Sequence, residues 1–194
     1  MSEDDRVRWN EKYRIGGHAS TQPSGALTTI APLLPSSGRA LDVAGGRGRN
    51  AIWLARRGLD VCLADISDTA LRMAESQAAD AGVTLRTQQV DFEKDTFPIG
   101  PWNLIVIVHF LLRPLFDLLP SELADEGMLV CVHPTVSNLK RHEKPPAQFL
   151  LEDGELPNLV PALNVIEYTE GWLTEGRHEA LIVATKPPKA MNER

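Results

Sequence analysis

Between residues 39 and 133, short apolar runs alternate with segments that carry one apolar face at helical spacing. Short apolar runs predict strands, and the helical spacing predicts helices between them. The run Trp102–Val108 is almost continuously apolar, which is typical of a strand covered on both faces of a parallel sheet. The predicted strands are residues 40–44, 59–64, 83–90, 102–108 and 128–133, and the clearest helices are residues 48–57 and 67–82.

The flanking segments predict further elements. Residues 1–8 are expected to be loose, a short helix starts at Trp9, and residues 23–34 form a second helix. Two runs near the C-terminus, joined by a glycine-bearing segment, predict an antiparallel hairpin of residues 165–169 and 179–185. Residues 134–157 form a connection far longer than the usual length of about 2–6 residues, which suggests a lid or substrate loop.

This alternation predicts a single α/β domain. We expect a Rossmann-like three-layer sandwich with a mostly parallel seven-stranded sheet and an antiparallel C-terminal edge hairpin. The domain comprises a helical cap (1–34), a core (39–187) and a loose tail (188–194). Ligands of such sheets bind outside the carboxyl ends of the strands, where the strand order reverses. The residues that follow each strand are therefore the candidates for a site.

The composition of the chain indicates which classes of partner are expected. The net charge of −6 disfavours nucleic acid, which requires a basic face. No apolar run is long enough to span a bilayer, and the acidic N-terminus is unlike a secretory signal, so we expect no membrane partner and a cytoplasmic location. Cys62 and Cys131 fall in predicted strands and are expected to be reduced core residues. Cysteine and histidine spacings predict no metal site.

The first predicted strand ends in a glycine cluster. Gly45, Gly46 and Gly48 follow Asp42, and a helix begins directly after them. Glycines in such a turn allow positive φ angles and a close approach of the backbone to a ligand. The helix that follows directs its free N–H groups to the same place. The sequence therefore predicts a nucleotide-like cofactor at this turn.

Further candidates follow the next strands. Asp65 stands about 20 residues beyond the glycines, a distance at which a carboxylate accepts hydrogen bonds from ribose hydroxyls. Asp91 is placed to take an adenine amino group, and Phe92 to supply an apolar wall or its backbone N–H. His109 follows the fourth strand. A turn role for Asp42 and a helix-capping role for Asp65 are the alternatives.

The residues around the turn also bear on the choice of cofactor. The segment 46–51 formally fits the dinucleotide pattern G-x-G-x-x-G/A, but Asp42 would lie near a pyrophosphate and repel it. The same carboxylate favours a ligand with an ammonium group. S-adenosylmethionine has an amino-acid end, which Asp42 would fix directly or through a water molecule. The sequence favours this cofactor, with a nicotinamide-dependent oxidoreductase as the weaker alternative.

The segment 41–50 resembles the first motif of class I S-adenosylmethionine-dependent methyltransferases, whose second and third acidic positions match Asp65 and Asp91. The chain is similar to the small tellurite-resistance-type methyltransferases, in which a Trp-x-x-x-Tyr segment precedes the domain and an Arg-Asn pair follows the glycines. Residues 9–13 and 49–50 match those features. The resemblance implies a methyltransferase, monomeric or homodimeric, that moves a methyl group by in-line displacement to a small-molecule acceptor: a thiol, an oxyanion or a metabolite.

The positions of individual residues in the predicted fold also suggest roles for them. His109 would serve as base or substrate ligand, Tyr13 would be catalytic, and Arg113 would bind an anionic acceptor. Each residue also has a structural alternative. His109 would be a hydrogen-bonded structural histidine, Tyr13 would hold the N-terminal helix to the domain, and Arg113 would cap local carbonyl groups. A basic run with His133 would form a lid or a solvated surface; it contains Lys140, Arg141, His142 and Lys144. The implied cofactor-binding residues are Trp9, Asp42, Ala44, Gly45, Gly46, Asn50, Asp65, Ile66, Asp91, Phe92 and His109.

Two positions depart from the family's first motif. Ala44 stands where glycine is usual, and Gly45 stands where cysteine is common. Alanine is compatible with binding if its φ angle is negative. A positive φ angle would distort the site and impair cofactor binding. Ala44 is also the one sequence feature that favours the alternative of a non-catalytic protein that binds S-adenosylmethionine or a partner.

Overall fold

The computed structural model describes residues 3–16 and 20–188. A seven-stranded sheet with helices on both faces forms its centre, in the order β3-β2-β1-β4-β5-β7-β6. The strands are β1 (Arg39–Val43), β2 (Asp60–Asp65), β3 (Arg86–Gln89), β4 (Trp102–Val108), β5 (Leu123–Pro134), β6 (Asn164–Trp172) and β7 (His178–Thr185). The helices are α1 (Glu3–Arg14), α2 (Gly25–Thr29), α3 (Arg49–Arg56), α4 (Asp68–Asp80) and α5 (Leu119–Glu122).

The topology confirms the predicted fold class. Strands β1 to β5 pair in parallel, whereas β7 runs antiparallel to both β5 and β6. Strand β1 pairs with β2 on one side and with β4 on the other. The strand order therefore reverses between β1 and β4, and a crevice opens at their carboxyl ends.

Strand β4 lies in the middle of the sheet, as its apolar run predicts. Residues 104–107 have no exposed surface. Ile105 and Ile107 pack into the core on one face of the sheet, and Leu104 and Val106 pack into the core on the other. Successive side chains of a strand point to opposite faces, so both layers of helices are held by the same short run.

Helix α1 begins at Glu3, so the prediction of a loose segment at residues 1–8 was wrong for residues 3–8, and residues 1 and 2 lie outside the described part of the chain. Acidic side chains occupy its first turn, where they favour the positive end of the helix dipole. Arg6 pairs with Glu3, and Arg8 pairs with Asp5, each at a spacing of three residues. These local charges extend the helix where the apolar pattern gives no signal.

The boundaries of the other elements differ less from the predicted ones. The second predicted helix is divided into α2 and a 3₁₀ turn that contains Pro32, because proline removes a helical N–H donor. Strand β3 covers only Arg86–Gln89, at the edge of the sheet. Of the predicted tail, residues 189–194 lie outside the described part of the chain.

The connection 134–157 is packed against the core at both ends, and none of its residues lines the main cavity at the strand ends. Leu150, Leu151 and Leu156 are at most 1% exposed. Thr135 forms a parallel bridge with Leu151, and its hydroxyl donates to an oxygen of Asp153. The two ends of the connection are therefore anchored in the core, whereas residues 139–149 between them are mostly exposed. The predicted lid or substrate loop finds no support here, because no residue of the connection lines the main cavity.

Both cysteines are buried and unpaired, in β2 and β5, as predicted. Burial raises the pKa of the Cys131 thiol to about 12, which keeps it protonated and unreactive. None of the helices among the described residues is long and apolar enough to cross a membrane.

Candidate functional site

A cavity of about 280 Å³ opens at the carboxyl ends of β1, β2 and β4, where the strand order reverses. It brings together most of the predicted site residues and adds several others. The lining residues are Trp9, Tyr13, Ser20, Ala44, Gly45, Gly46, Arg47, Arg49, Asn50, Asp65, Ile66, Val108, His109, Phe110 and Arg177.

The glycine turn after β1 forms the floor of this cavity and has no room for side chains. Gly46 has a φ angle of +58°, and a Cβ atom there would overlap the hydroxyl oxygen of Tyr13. A Cβ atom on Gly45 would lie 2.5 Å from a carboxylate oxygen of Asp42. The close approach of backbone that the sequence predicts is therefore imposed from both sides of the turn.

Asp65 stands at the end of β2, and its carboxylate holds the turn in place. Its oxygens accept hydrogen bonds of 2.8 Å from the N–H groups of Gly46 and Ser67. Burial raises the pKa of Asp65, against the two N–H donors, which lower it. Each carboxylate oxygen has a further acceptor position for ligand hydroxyls. The capping role beside Ser67 and a ligand role are thus compatible.

Asp42 lies beneath the turn and does not line the cavity. It is 1% exposed, and neither carboxylate oxygen has a hydrogen-bond partner among the described residues. Burial raises its pKa to about 7; the Ala51 N–H lowers the pKa without reaching hydrogen-bond geometry, and the negative charge of Asp65 raises it. Asp42 is therefore separated from the cavity by the backbone of Gly45, and only the electric field of its carboxylate can reach a ligand there.

Ala44 has a φ angle of +51°, the conformation that the sequence analysis identified as adverse. An L-residue in this region costs roughly 1–2 kcal/mol. The turn is formed nonetheless: the Gly45 N–H donates to the Ala64 carbonyl at 3.4 Å, and the Gly48 N–H donates to the Gly45 carbonyl at 3.1 Å. The strain is therefore held within an intact turn.

Helix α1 covers the cavity from above. Trp9 and Tyr13 both line it, with ring centroids 5.9 Å apart and planes inclined by 29°. Tyr13 is 7% exposed, and burial raises the pKa of its hydroxyl, which therefore stays protonated. Both rings therefore belong to α1 and line the cavity, while their role toward a ligand stays a prediction.

Asn10 anchors α1, and sequence reasoning missed it. Its Nδ2 donates to Asp68 at 2.6 Å, and its Oδ1 accepts from the Ser67 hydroxyl at 2.6 Å and from the Thr69 N–H at 3.3 Å. The contact joins α1 to the N-terminus of α4, next to Asp65. An amide between two aromatic residues was the only available signal, and it does not specify a partner.

The residues predicted to contact adenine, Asp91 and Phe92, lie on the side of the cavity that is bounded by Ile66. This residue lines both the main cavity and a neighbouring hollow that contains Asp91 and Lys94. The Asp91 carboxylate accepts the Glu93 N–H at 3.1 Å and lies 3.6 Å from the Lys94 ammonium. Phe92 is buried and packs in the core, so its ring lines neither hollow.

His109 faces the cavity from the end of β4. Its φ angle is +60°, and its Nε2 lies 2.8 Å from an oxygen of Glu179. The side chain of Glu179 is only 4% exposed, and the Arg177 Nε lies 3.1 Å from the same oxygen. Burial raises the pKa of Glu179, but the opposing effect of His109 and Arg177 is larger. The pKa is therefore below its ordinary value, and the carboxylate is ionised. Sequence reasoning missed Glu179 and Arg177, which stand in and beside the predicted hairpin.

Two further predicted residues have clear positions. Asn50 lines the cavity, and its Oδ1 accepts the N–H of Ser24 at 2.9 Å. Arg113 does not line the cavity: its guanidinium donates to both carboxylate oxygens of Glu155 and to the Leu150 carbonyl. The structure thus places Arg113 in the carbonyl-capping position that the sequence analysis gave as its alternative.

The basic run is also occupied by structural contacts. His133 is buried, its Nε2–H donates to the Phe149 carbonyl, and burial lowers its pKa to about 4, so it is neutral. Lys140 donates to the Ser137 hydroxyl, and Arg141 stacks on a tryptophan of β6 at 3.8 Å. None of the described residues of this run lines the main cavity.

Comparison with known proteins agrees with this geometry. Residues 40–121 match a family model described as a methyltransferase domain. Over 121 residues the chain is 30% identical to an uncharacterized protein of Mycobacterium tuberculosis, an alignment that covers 59% of this chain and 44% of that protein. The chain thus spans less than half the length of the curated relatives it matches.

Solved structures show the same fold. TehB from Haemophilus influenzae superposes with a TM-score of 0.73 at 20% identity, over 91% of this chain and 67% of that chain. A TehB-like S-adenosylmethionine-dependent methyltransferase from Corynebacterium glutamicum gives a TM-score of 0.63 at 20% identity, over 95% and 97% of the two chains. Residues 40–121 thus match a methyltransferase domain, and the chain shares its fold with these solved methyltransferase structures.

Proposed function

We propose that this protein transfers a methyl group from S-adenosylmethionine to a small-molecule acceptor by in-line displacement. One observation carries the proposal. The glycine turn, Asp65 and His109 line a single cavity at the point where the strand order reverses. This is the place where sheets of this kind bind their ligands.

The residues present fit the cofactor. S-adenosylmethionine carries a sulfonium and an ammonium group, and the carboxylates of Asp42 and Asp65 beside the turn favour positive charge. The turn at Gly45 and Gly46 forms a cradle that a Cβ atom would fill. Trp9 presents an aromatic ring to the cavity, and a cation–π contact there contributes about 0.5–2 kcal/mol.

A dinucleotide fits the same turn less well. Its pyrophosphate would need the free N–H groups of the turn, but the Gly46 N–H already donates to Asp65. The buried carboxylate of Asp42 adds a second repulsive charge beneath the turn. The structure therefore favours a cationic ligand over a nicotinamide cofactor.

The chain's own contribution to catalysis is alignment and exclusion of water. The cofactor, when bound, supplies a methyl group that is already activated. Trp9 and Tyr13 cover the cavity, and Asp65 fixes the turn on which a ligand rests. The acceptor would enter on the side of His109 and Arg177, opposite the adenine side at Ile66. A thiol, an oxyanion and another small metabolite are the acceptor classes proposed.

Calorimetric titration tests the cofactor assignment. The protein is titrated with S-adenosylmethionine, its demethylated product and NADH. We expect the first two to bind, and Asp65→Asn to weaken them about tenfold or more, because a hydrogen bond to a charged group contributes about 1.5–3 kcal/mol. Asp60→Asn is the matched control: Asp60 lies on the same strand, but its side chain is 61% exposed and outside the cavity.

The other possible outcomes of the titration lead to different conclusions about the cofactor. Binding of NADH alone would overturn the proposal. The absence of binding by all three ligands would instead favour a non-catalytic domain, with the strained Ala44 as the first residue to examine. Binding is followed by a turnover assay that measures the demethylated product with a thiol, an oxyanion and a neutral metabolite as acceptors.

A further inference from the structure

We infer that Glu179 is a positioning residue that sets His109 as a proton acceptor, and that the methyl acceptor is therefore protic. The inference rests on the proposed methyl transfer and names the acceptor class for that same cavity. It starts from a juxtaposition of residues 70 positions apart, in which His109 Nε2 meets a carboxylate oxygen of Glu179 at 2.8 Å.

The charge of Glu179 decides the tautomer of His109. An ionised carboxylate only accepts hydrogen bonds, so Nε2 of a neutral imidazole must carry the proton. The lone pair then resides on Nδ1, which has no hydrogen-bond partner among the described residues. His109 lines the cavity with 27% of its side chain exposed. Nδ1 is thus the ring nitrogen available to a ligand.

The surroundings of Glu179 keep it charged and fixed. Its side chain is 4% exposed, yet the Arg177 guanidinium lies 3.1 Å from the oxygen that also contacts His109. His133 on β5 also faces this cluster, and its buried imidazole is neutral. A buried carboxylate with a cation on one side and an imidazole on the other stabilises positive charge on that imidazole.

The backbone of His109 supports the same reading. Its φ angle of +60° lies in the left-handed region, which is costly for a residue with a side chain. Its N–H donates to the Val132 carbonyl at 2.9 Å, and its ring is held by Glu179. Backbone and side chain together fix the ring at the mouth of β4, facing the predicted acceptor side.

The proton balance of the step then follows. A bond forms between the methyl carbon and the acceptor atom, and the bond from that carbon to sulfur breaks with its electron pair left on sulfur. The acceptor's proton passes to His109 Nδ1, and the resulting imidazolium is stabilised by Glu179. A thiol, hydroxyl or protonated amine needs this step, whereas an acceptor without a proton does not.

The experiment compares Glu179→Gln with the wild type. The variant keeps the shape of the side chain and removes its charge. We expect kcat to fall about tenfold to a hundredfold, part of the effect that a positioned general base contributes, with the affinity for S-adenosylmethionine unchanged. The midpoint of the kcat–pH profile should move to lower pH, because the imidazolium loses its counter-charge. Glu167→Gln, an exposed position on β6, is the control and should match the wild type.

Two further readouts separate positioning from mere structure. With iodide, an acceptor without a proton, Glu179→Gln should be as fast as the wild type. Nitrogen-edited NMR of the protein without ligands, assigned with His109→Gln, should show the Nε2–H tautomer in the wild type and its loss in Glu179→Ala.

The inference is overturned if Glu179→Gln retains the wild-type kcat and pH profile with a protic acceptor, or if His109 carries its proton on Nδ1. The NMR measurement needs no turnover. If no acceptor is methylated, the proposed function fails, while the tautomer still decides whether Glu179 positions His109.

Discussion

The buried carboxylate of Asp42 should make the free energy of unfolding depend on pH. Burial raises its pKa in the folded protein to about 7, from an ordinary value of 3.8. Between these values the folded state retains a proton that the unfolded state has lost, so stability falls as pH rises and becomes constant above about pH 7. Asp42→Asn has nearly the same shape and no charge, so it removes this dependence.

The magnitude follows from the shift. One pKa unit corresponds to about 1.4 kcal/mol, so the two units between pH 5 and pH 7 amount to about 3 kcal/mol. We therefore expect the stability of Asp42→Asn relative to the wild type to increase by about 3 kcal/mol from pH 5 to pH 8. The cost of burying an amide is the same at every pH and does not affect this difference.

Urea denaturation at pH 5, 6, 7 and 8 measures it. Asp65, whose pKa is also raised, is present in both proteins, so its own pH dependence largely cancels. Asp60→Asn is the control, because Asp60 is exposed and should give a constant difference. A difference for Asp42→Asn that stays constant across this pH range would refute the assignment of an unpartnered carboxylate with a raised pKa beneath the turn.

Two other predictions concern the walls of the cavity. Gly46→Ala should lower the free energy of unfolding by about 2–4 kcal/mol and impair S-adenosylmethionine binding, because its Cβ atom would overlap the Tyr13 hydroxyl in a left-handed backbone. Gly82→Ala, at φ +69° with open space around it, should show only the backbone cost of roughly 1–2 kcal/mol in the same denaturation assay. Trp9→Ala should weaken S-adenosylmethionine about two- to thirtyfold in calorimetry, the equivalent of a cation–π contact. Trp53→Ala, which removes a tryptophan outside the cavity, should leave affinity unchanged, and equal affinities in both variants would reduce Trp9 to a pin for α1.

The alternation of apolar runs and helical segments determined the order of the elements and the fold class. It succeeded because burial on both faces requires a run such as Trp102–Val108, and because strand, glycine turn and helix follow one another within a few residues. The positions of Asp65 and Gly46 could be predicted for the same reason. They stand at the ends of parallel strands, and such ends meet at one edge of a sheet.

The tertiary structure decided what depends on distant pairings and on backbone angles. Glu179 reaches His109 only because β7 inserts antiparallel between β5 and β6, and no local pattern encodes that register. Arg113 turned away from the cavity because Glu155 lies within its reach. The φ angle of Ala44 could only be stated as a condition, since an alanine specifies neither sign when hydrogen bonds of the surrounding turn outweigh a cost of roughly 1–2 kcal/mol. Local spacing thus determined that Gly46, Asp65 and His109 meet at the crevice, and long-range packing determined how they are paired there.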